Sequence, residues 1–157
     1  MPSFQTYPRI STFLWYDSNA EEAADFYISI FKNSRRLGEQ RDPSGVAVPK
    51  GHTLTVSFEL DGQTFTALNG GPLFKFNESI SLLVRCDSQN EVDYYWSKLT
   101  SDGGSESRCG WLKDKFGLSW QIVPAQLPDL IQHPKAMQAM LQMNKLDIAT
   151  LERAAQS

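Results

Sequence analysis

The sequence is poor in the residues that would place it in a broad class at once. It has two cysteines, two histidines and no run of lysine and arginine among its 157 residues. Cys86 and Cys109 fit neither a disulfide framework nor the spacing of a metal knuckle, which predicts a reduced, cytoplasmic protein. Without a basic patch we expect no nucleic-acid partner. The apolar runs are only a few residues long, too short to cross a bilayer, and so predict no membrane partner.

Apolar and aromatic residues are present in the proportions of a folded chain. Hydrophobic residues make up 41% of the sequence and aromatic residues 11%, and the formal net charge is -3. This composition excludes a disordered chain and suits one domain, or two small halves that share a core. The N-terminal segment MPSFQTYPRI has no basic stretch followed by an apolar one, so we expect no secretory signal.

An internal repeat organises the chain. Residues 10–31 match residues 78–99 at an offset of 68, and residues 62–66 match residues 117–121 at an offset of 55. The identities in the first window pair Ser11 with Ser79, Leu14 with Leu82, Asp25 with Asp93, Tyr27 with Tyr95 and Ser29 with Ser97. The smaller offset means that the first copy carries 13 extra residues (68 minus 55) before its last strand, for which the polar stretch Glu39–Gly51 is the natural place. Two matching windows in the same order predict a duplicated unit.

Local patterns divide the first copy into elements. Residues 9–17 are rich in β-branched and aromatic types and predict a strand. Asn19 and Glu22 form a capping box that opens a helix at about residue 20. Residues 53–60 and 63–69 predict two strands joined by a tight Asp61-Gly62 turn.

The second copy repeats this order. Ile80–Cys86 predicts a strand, and Ser88 with Glu91 a second capping box. Short strands follow near 105–113 and 118–124, joined by the turn at residues 114–117. The predicted fold is therefore α+β, with tandem βαβββ modules that form a curved mixed sheet around a cleft, plus C-terminal helices.

The tail, residues 126–157, lies outside the repeat. Pro134 suits the first position of a helix, and Asp147 suits the cap of a last helix. Met137, Met140 and Leu141 form an apolar stripe, which simple core packing explains. The alternative is that this stripe covers the sheet or meets a second subunit.

Four stretches resemble a known family: LWYDSNAEEAADFY, ALNGGPLFKFNESISLLV, EVDYYW and CGWLKDKFGLSWQIVP. They are similar to the PhnB-like, or 3-demethylubiquinone-9 3-methyltransferase-like, group of the glyoxalase/bleomycin-resistance/extradiol-dioxygenase (vicinal oxygen chelate) superfamily. The resemblance implies a single domain over residues 1–157, with modules at 8–70 and 78–125 and the helical tail at 126–157. It also implies a homodimer whose modules pair within or between chains. It leaves the activity open, because a fold does not determine a function.

The metal enzymes of this superfamily carry four ligands, usually His, Glu or Gln, on the first and last strand of each module. The resemblance places these positions near Thr12, Thr66, Ser81 and Gln121, with Thr12 uncertain by one residue. A divalent ion needs imidazole, carboxylate or thiolate groups in three or four converging places. Hydroxyl groups are poor substitutes and Gln121 alone cannot hold the ion, so we predict no metal and no other bound cofactor.

The remaining reactive groups indicate no specific chemistry. His52 and His133 stand alone, at places where a histidine is more often exposed or capping than catalytic. The loop Asn69-Gly70-Gly71-Pro72 follows a strand but opens no helix, so it does not predict a site for S-adenosylmethionine. No pair of carboxylates has a spacing that demands acid-base work.

Aromatic residues on the strands are the most suggestive feature. Walls of rings with a few polar groups suit a flat or apolar small molecule. The residues we place first in such a cleft are Trp15, Asn69, Ser81, Trp120 and Gln121; the alternative is that the strand aromatics are core residues. The sequence thus favours a protein that binds a small-molecule ligand without a metal. The alternatives are an enzyme, either the methyltransferase of the family label or a metal-dependent lyase or isomerase, and an oligomeric module with no ligand.

Overall fold

The computed structural model describes residues 3–157, so the first two residues of the N-terminal segment lie outside it. The chain divides into two compact units, the first ending at Lys75 and the second beginning at Phe76. Unit 1 contains a 3-10 turn at Phe4–Thr6, β1 at Thr12–Tyr16, α1 at Ala20–Ile30, β2 at Arg35–Arg41, β3 at Thr53–Leu60 and β4 at Gln63–Asn69. Unit 2 contains β5 at Ser81–Cys86, α2 at Gln89–Leu99, a 3-10 turn at Ser101–Gly103, β6 at Ser105–Glu106, β7 at Trp111–Lys113, β8 at Ser119–Pro124, α3 at Leu127–Leu130, α4 at Pro134–Leu141 and α5 at Ile148–Ala155.

Each unit contains one open four-stranded mixed sheet with the same topology. The strand order is β1-β4-β3-β2 in unit 1 and β5-β8-β7-β6 in unit 2. The first and last strands of each unit are parallel neighbours, and the other pairs are antiparallel. The helix between the first two strands provides the crossover that a parallel pair requires. The predicted α+β class with tandem βαβββ modules and C-terminal helices is confirmed.

Two details of the strand prediction were incomplete. The second strand of the first copy had no assigned residues, and the structure places it at Arg35–Arg41, which overlaps the stretch expected to be a loop. This strand is at the sheet edge and mostly exposed, so its charged residues hide the usual alternation. The single strand expected near 105–113 is two short strands, separated by a turn in which Cys109 has a φ of 63°.

The core of unit 1 lies between its sheet and α1. Alternate residues of the strands point to α1 and are buried, among them Leu14, Val56, Phe58, Phe65 and Ala67. The ring of Tyr27 in α1 lies 6.2 Å from the ring of Phe58, and its hydroxyl is 2.9 Å from the Tyr16 hydroxyl. Burial of such side chains contributes about 1.5–3 kcal/mol each and fixes which sheet face the helix covers.

The predicted cap at Asn19 was half right. α1 begins after Asn19 as expected, but the Asn19 side chain makes no capping hydrogen bond. The Oδ1 atom of Asn69, at the end of β4, accepts from the backbone N–H of Ala20 instead, at 2.9 Å. The second cap is confirmed, since Ser88 accepts from the N–H of Glu91.

The tail packs on unit 2 as part of its core. Val123, Leu127, Met140, Leu146 and Leu151 form one buried cluster. The predicted helix start at Pro134 and the cap at Asp147 are confirmed. Of the two outer residues in the predicted apolar stripe, Met137 is 37% exposed and Leu141 46% exposed.

The side chain of Gln89 joins α2 to the tail. Its Oε1 atom accepts from the N–H of Ile148, and its Nε2 atom donates to the carbonyl oxygen of Leu146. Lys145 also pairs with Asp93 of α2 at 2.8 Å. Within residues 3–157, no helix has the length and apolar character needed to cross a bilayer.

Candidate functional site

In each unit, one surface of the sheet faces the helix, α1 in unit 1 and α2 in unit 2. We call the opposite surface of the sheet the back face of that unit. On the back face of unit 1, Phe13 pairs with Thr66 and Thr66 with Ser57. The hydroxyl oxygens of Ser57 and Thr66 are 2.9 Å apart and both residues are buried. Phe13 beside them is 57% exposed. The two hydroxyl groups are therefore hydrogen-bonded to each other, beside the exposed ring of Phe13.

The back face of unit 2 brings two of the predicted site residues together. Gln121 of β8 donates from Nε2 to the Oγ atom of Ser81 at 2.9 Å. Gln121 lies in register between Leu83, which is 59% exposed, and Trp111, which is half-buried. An amide–hydroxyl pair is thus flanked by two large apolar side chains.

A buried hydroxyl without a partner lies on the same surface. Ser119 is in register with Ser81 on the neighbouring strand, so both side chains point to the back face. The Oγ atom of Ser119 is buried and has no hydrogen-bond partner among the described residues. Such a group costs about 1–3 kcal/mol, so it calls for a physical explanation.

The donor set at the four positions implied by the resemblance does not fit a divalent cation. Thr12 pairs with the core residue Phe65 and so points away from the face that carries Thr66; the β1 residue beside Thr66 is Phe13. The remaining groups are hydroxyls and one amide, which bind such ions weakly. Within residues 3–157, no three His, Cys, Asp or Glu residues are grouped so that they could hold a metal ion.

Trp15 lies on the back face of unit 1 but is held by the segment after β4. Its Nε1 atom donates to the carbonyl oxygen of Gly71 at 2.9 Å, and its ring meets the ring of Phe74 edge-on at 4.9 Å. A Cβ atom at Gly70 would lie 2.4 Å from the Trp15 ring, so only glycine allows this packing. Trp15 is half-buried.

Trp120 is a core residue. It is 3% exposed and lies on the α2 side of β8, one residue from Gln121, which points to the back face. Its Nε1 atom donates to Oδ2 of Asp114, whose Oδ1 atom also accepts from the N–H groups of Phe116 and Leu118. At this position the strand aromatic is therefore a core residue, which is the alternative stated for these residues in the sequence analysis.

Asn69 lies on the α1 side of its sheet, away from the back face. It is 8% exposed, and its Nδ2 atom donates to Oε1 of Glu21 at 2.8 Å and to the carbonyl oxygen of Thr53 at 3.0 Å. With the bond to Ala20, both donor positions of this amide and one of its acceptor positions serve the fold. Of the predicted site residues in unit 2, Ser81 and Gln121 contact each other. The two in unit 1, Trp15 and Asn69, lie on opposite faces of their sheet.

A cavity of about 810 Å³ lies in unit 1, where β1 and β4 end and α1 begins. Its walls come from the β1–α1 turn, α1, β2, the segment 42–52 and the ends of β3 and β4. The lining residues are Asp17, Ser18, Glu21, Arg36, Glu39, Arg41, Ala47, Val48, Pro49, His52, Thr53, Asn69 and Gly71. Of the five predicted site residues, Asn69 lines this cavity. Sequence reasoning did not find the cavity as a whole, because its residues lie on separate segments whose proximity depends on strand order.

Ion pairs hold the β2 wall of the cavity. Arg36 donates to both carboxylate oxygens of Asp25 at 2.9 Å, and this hydrogen bonding raises the pKa of the Arg36 guanidinium. Arg41 donates to Glu39 at 3.0 Å and to the carbonyl oxygen of Gly51 at 2.9 Å. These side chains are fixed in place before any ligand arrives.

Asp42 organises the wall formed by residues 42–52. Its carboxylate is buried and accepts from the hydroxyl and N–H of Ser44 and from the N–H groups of Gly45, Ala47 and Val48. The Ser44 hydroxyl, followed by the N–H groups, holds the pKa of Asp42 well below its usual range. The charged carboxylate of Asp42 therefore holds the segment 42–52 in its conformation through these hydrogen bonds.

Cys86, at the end of β5, offers no nucleophile at neutral pH. Burial is the main reason that the pKa of Cys86 is raised to about 12. A thiol reacts through its thiolate, which this shift suppresses. His133 makes no side-chain cap bond at the start of α4, although it stands at the expected place.

A family model described as 3-demethylubiquinone-9 3-methyltransferase matches residues 8–123. The PhnB protein of Bacillus cereus is 32% identical, with a TM-score of 0.68 over 75% of this chain and 100% of its own. No curated protein sequence matched the chain.

Two more distant structures share the fold. PA1353 of Pseudomonas aeruginosa is 18% identical, with a TM-score of 0.57 over 74% of this chain and 97% of its own. An E126Q mutant of the fosfomycin resistance protein FosX of Listeria monocytogenes, complexed with Mn(II) and 1S,2S-dihydroxypropylphosphonic acid, is 14% identical. Its TM-score is 0.57, over 79% of this chain and 97% of its own.

Proposed function

The chain belongs to the PhnB-like, 3-demethylubiquinone-9 3-methyltransferase-like family of the glyoxalase/bleomycin-resistance superfamily. From that premise we propose that it binds an uncharged small molecule without a metal ion. The ligand contacts the back face of unit 2 at Ser81 and Gln121, and it reaches the buried hydroxyl of Ser119 when the neighbouring side chains shift. Its ring or chain packs against Leu83 and Trp111, and an oxygen atom of the ligand meets the hydroxyl groups.

The unpaired hydroxyl of Ser119 is the observation that carries this proposal. A ligand oxygen that accepts from Ser119 removes the free-energy cost of a buried, unpaired donor. This gain is larger than that of a hydrogen bond that merely replaces one with water. The Oε1 atom of Gln121 remains a free acceptor, because the pair with Ser81 uses only Nε2. Lys113, in register with Ser119 on β7, is paired with Glu78. The remaining neutral donors, the neutral acceptor and the apolar neighbours suit a neutral, partly apolar compound.

The test uses 2-naphthol as a flat probe with one oxygen, and naphthalene as the matched probe without it. We expect saturable binding of 2-naphthol, with shifts of the Gln121 side-chain amide in NMR spectra, and weaker binding of naphthalene. Ser119→Ala should leave the free energy of unfolding unchanged or raised, because it breaks no protein hydrogen bond. The same variant should weaken 2-naphthol binding about fivefold or more, the worth of about 1 kcal/mol.

The control variant is Gln138→Ala, at an exposed position of α4. It should change neither stability nor binding. Equal binding of both probes, or full affinity of the Ser119→Ala protein for 2-naphthol, would contradict the proposal.

The enzymatic alternatives are tested on the same protein. The family description names a methyl transfer, for which S-adenosylmethionine is the probe; a metal-dependent lyase or isomerase would lose activity with a chelator. Saturable binding of S-adenosylmethionine would favour the first alternative. Retention of a stoichiometric divalent ion through native mass spectrometry would favour the second and end the metal-free proposal.

A further inference from the structure

We propose that the cavity of about 810 Å³ in unit 1 is a second binding site, which takes a zwitterion with an ammonium group at one end and a carboxylate at the other. The cavity lies on the α1 side of its sheet, so the inference does not depend on the back-face site of unit 2.

The cavity is lined by fixed polar groups. Asn69 and Thr53 are 8% and 7% exposed, and Asn69 connects α1, β3 and β4 by hydrogen bonds. Asp42 holds the N–H groups of Ala47 and Val48 in the opposite wall. A preformed wall spares a ligand the entropy cost of ordering it.

The carboxylates of Asp17 and Glu21 lie at the end of β1 and in the first turn of α1, whereas hydrogen-bond donors of Arg41 and His52 lie on β2 and just before β3. Glu39 also lines the β2 end, where it pairs with Arg41. β1 and β2 are opposite edges of the sheet, three strand spacings or about 14 Å apart at the backbone. The side chains reach into the cavity and shorten the distance between the two ends. A zwitterion that fits therefore has several carbon atoms between its ammonium group and its carboxylate.

Free hydrogen-bonding capacity remains at both ends. Among residues 3–157, the Asp17 carboxylate and the His52 imidazole have no hydrogen-bond or ion-pair partner. Arg41 uses two of its five donors, on Glu39 and on the Gly51 carbonyl. A ligand ammonium can thus bind Asp17 and Glu21, while its carboxylate accepts from Arg41 and His52.

Two other occupants fit less well. A metal ion lacks a group of three ligating side chains within residues 3–157. A simple anion at the start of α1 would face Glu21, and the N–H of Ala20 there is already taken by Asn69. A molecule with both charges matches both ends of the cavity without leaving either one unpaired.

The experiment measures binding of a series of ω-amino carboxylates to the full chain by calorimetry. Glycine, 4-aminobutanoate, 6-aminohexanoate and 8-aminooctanoate set the charge separation; hexanoate and hexylamine carry one charge each. We expect saturable binding that strengthens from glycine to a longer member, and at least about tenfold weaker binding of both single-charge probes.

Variants at each end identify the site. Asp17→Asn and His52→Gln should each weaken the best probe about threefold to tenfold, since both side chains are exposed and screened by solvent. Asp129→Asn and His133→Gln, matched changes in unit 2, should have no effect. Circular dichroism confirms that all four variants are folded.

The outcomes separate this inference from the back-face proposal. Ser119→Ala should leave binding of the amino carboxylates unchanged. Absence of saturable binding, equal binding of hexanoate or hexylamine, or full affinity in both Asp17→Asn and His52→Gln would overturn the second site, whatever 2-naphthol does.

Discussion

At the residue scale, Asn69 shows how one amide can replace a local cap. The sequence offers Asn19 for the start of α1, yet the bond to Ala20 comes from Asn69, 49 positions away in the chain. The same side chain also binds Glu21 and the carbonyl oxygen of Thr53. Its identity is therefore set by three structural partners.

Asn69→Ala should be among the more destabilising single changes in unit 1. It leaves the N–H of Ala20 and the carbonyl oxygen of Thr53 without this partner in a buried place. We expect the free energy of unfolding to fall by about 2–3 kcal/mol in urea denaturation. Asn19→Ala is the matched control and should cost less than about 0.5 kcal/mol, because its side chain makes no cap bond. Equal effects of the two changes would contradict this assignment.

Asp42 predicts how the segment 42–52 responds to acid. The pKa of its carboxylate is lower in the folded protein than in the unfolded chain, where it is about 3.9. Its contribution to stability is therefore present above about pH 4 and is lost as the pH falls through the folded pKa.

Hydrogen exchange of the backbone amides at residues 44–48 measures this effect. Protection should fall on acidification below about pH 4 in the natural protein. Asp42→Asn should show reduced protection already at pH 7 and little further dependence on pH, because the amide stays neutral. Asp61→Asn, an exposed turn position, should behave like the natural protein. A segment that is equally protected in the Asp42→Asn protein would refute the role of the carboxylate.

At the scale of elements, one side chain of α2, Gln89, makes two of the hydrogen bonds that hold the tail. Gln89 supplies an acceptor to the first N–H of α5 and a donor to the carbonyl oxygen of Leu146. The matched family region ends at residue 123, so Gln89 lies within it and the tail residues that it holds lie beyond it. The buried cluster of Leu146 and Leu151 provides the apolar part of the same contact.

Gln89→Ala should loosen the tail without unfolding the sheet of unit 2. It removes two hydrogen bonds to the backbone, and we expect a loss of about 1–3 kcal/mol in local stability. Amides of α5 should then exchange about tenfold faster, while those of β8 keep their rates. Gln138→Ala is the control on α4. Unchanged exchange in α5 would show that the Gln89 side chain does not hold the tail.

At the scale of the whole molecule, both units repeat one topology and each ends its sheet with a parallel edge strand. β1 and β5 occupy these edges. Phe13 on β1 and Leu83 on β5 are more than half exposed. Apolar side chains on open edges favour association with another chain.

We therefore propose a homodimer in which the β5 edge takes part. Leu83→Lys should weaken the dimer at least about tenfold, because a lysine would lose its hydration at an apolar contact. Sedimentation equilibrium measures the dissociation constant. Val46→Lys, at a residue 88% exposed in the segment 42–52, should have no effect. A monomeric natural protein, or an unaffected dimer in Leu83→Lys, would count against this edge.

The sequence by itself determined the order of the elements and the duplication. Strand alternation, the Ser88 cap, the Asp61-Gly62 turn and the Pro134 helix start are local features, so neighbouring residues suffice to predict them. The edge strand β2 escaped prediction, because an exposed strand has little alternation of apolar and polar residues.

Only the tertiary structure decided which of the chosen residues belong together. Strand register sends Trp120 into the core and Gln121 to the back face, although they are adjacent in the chain. Register also places Asn69 on the α1 side of its sheet, where it binds the N–H of Ala20. It places Ser119 where its hydroxyl has no hydrogen-bond partner among the residues that the structure describes. Pairing between strands is non-local, and a shift of one residue would exchange the two faces, so no local pattern could assign these contacts.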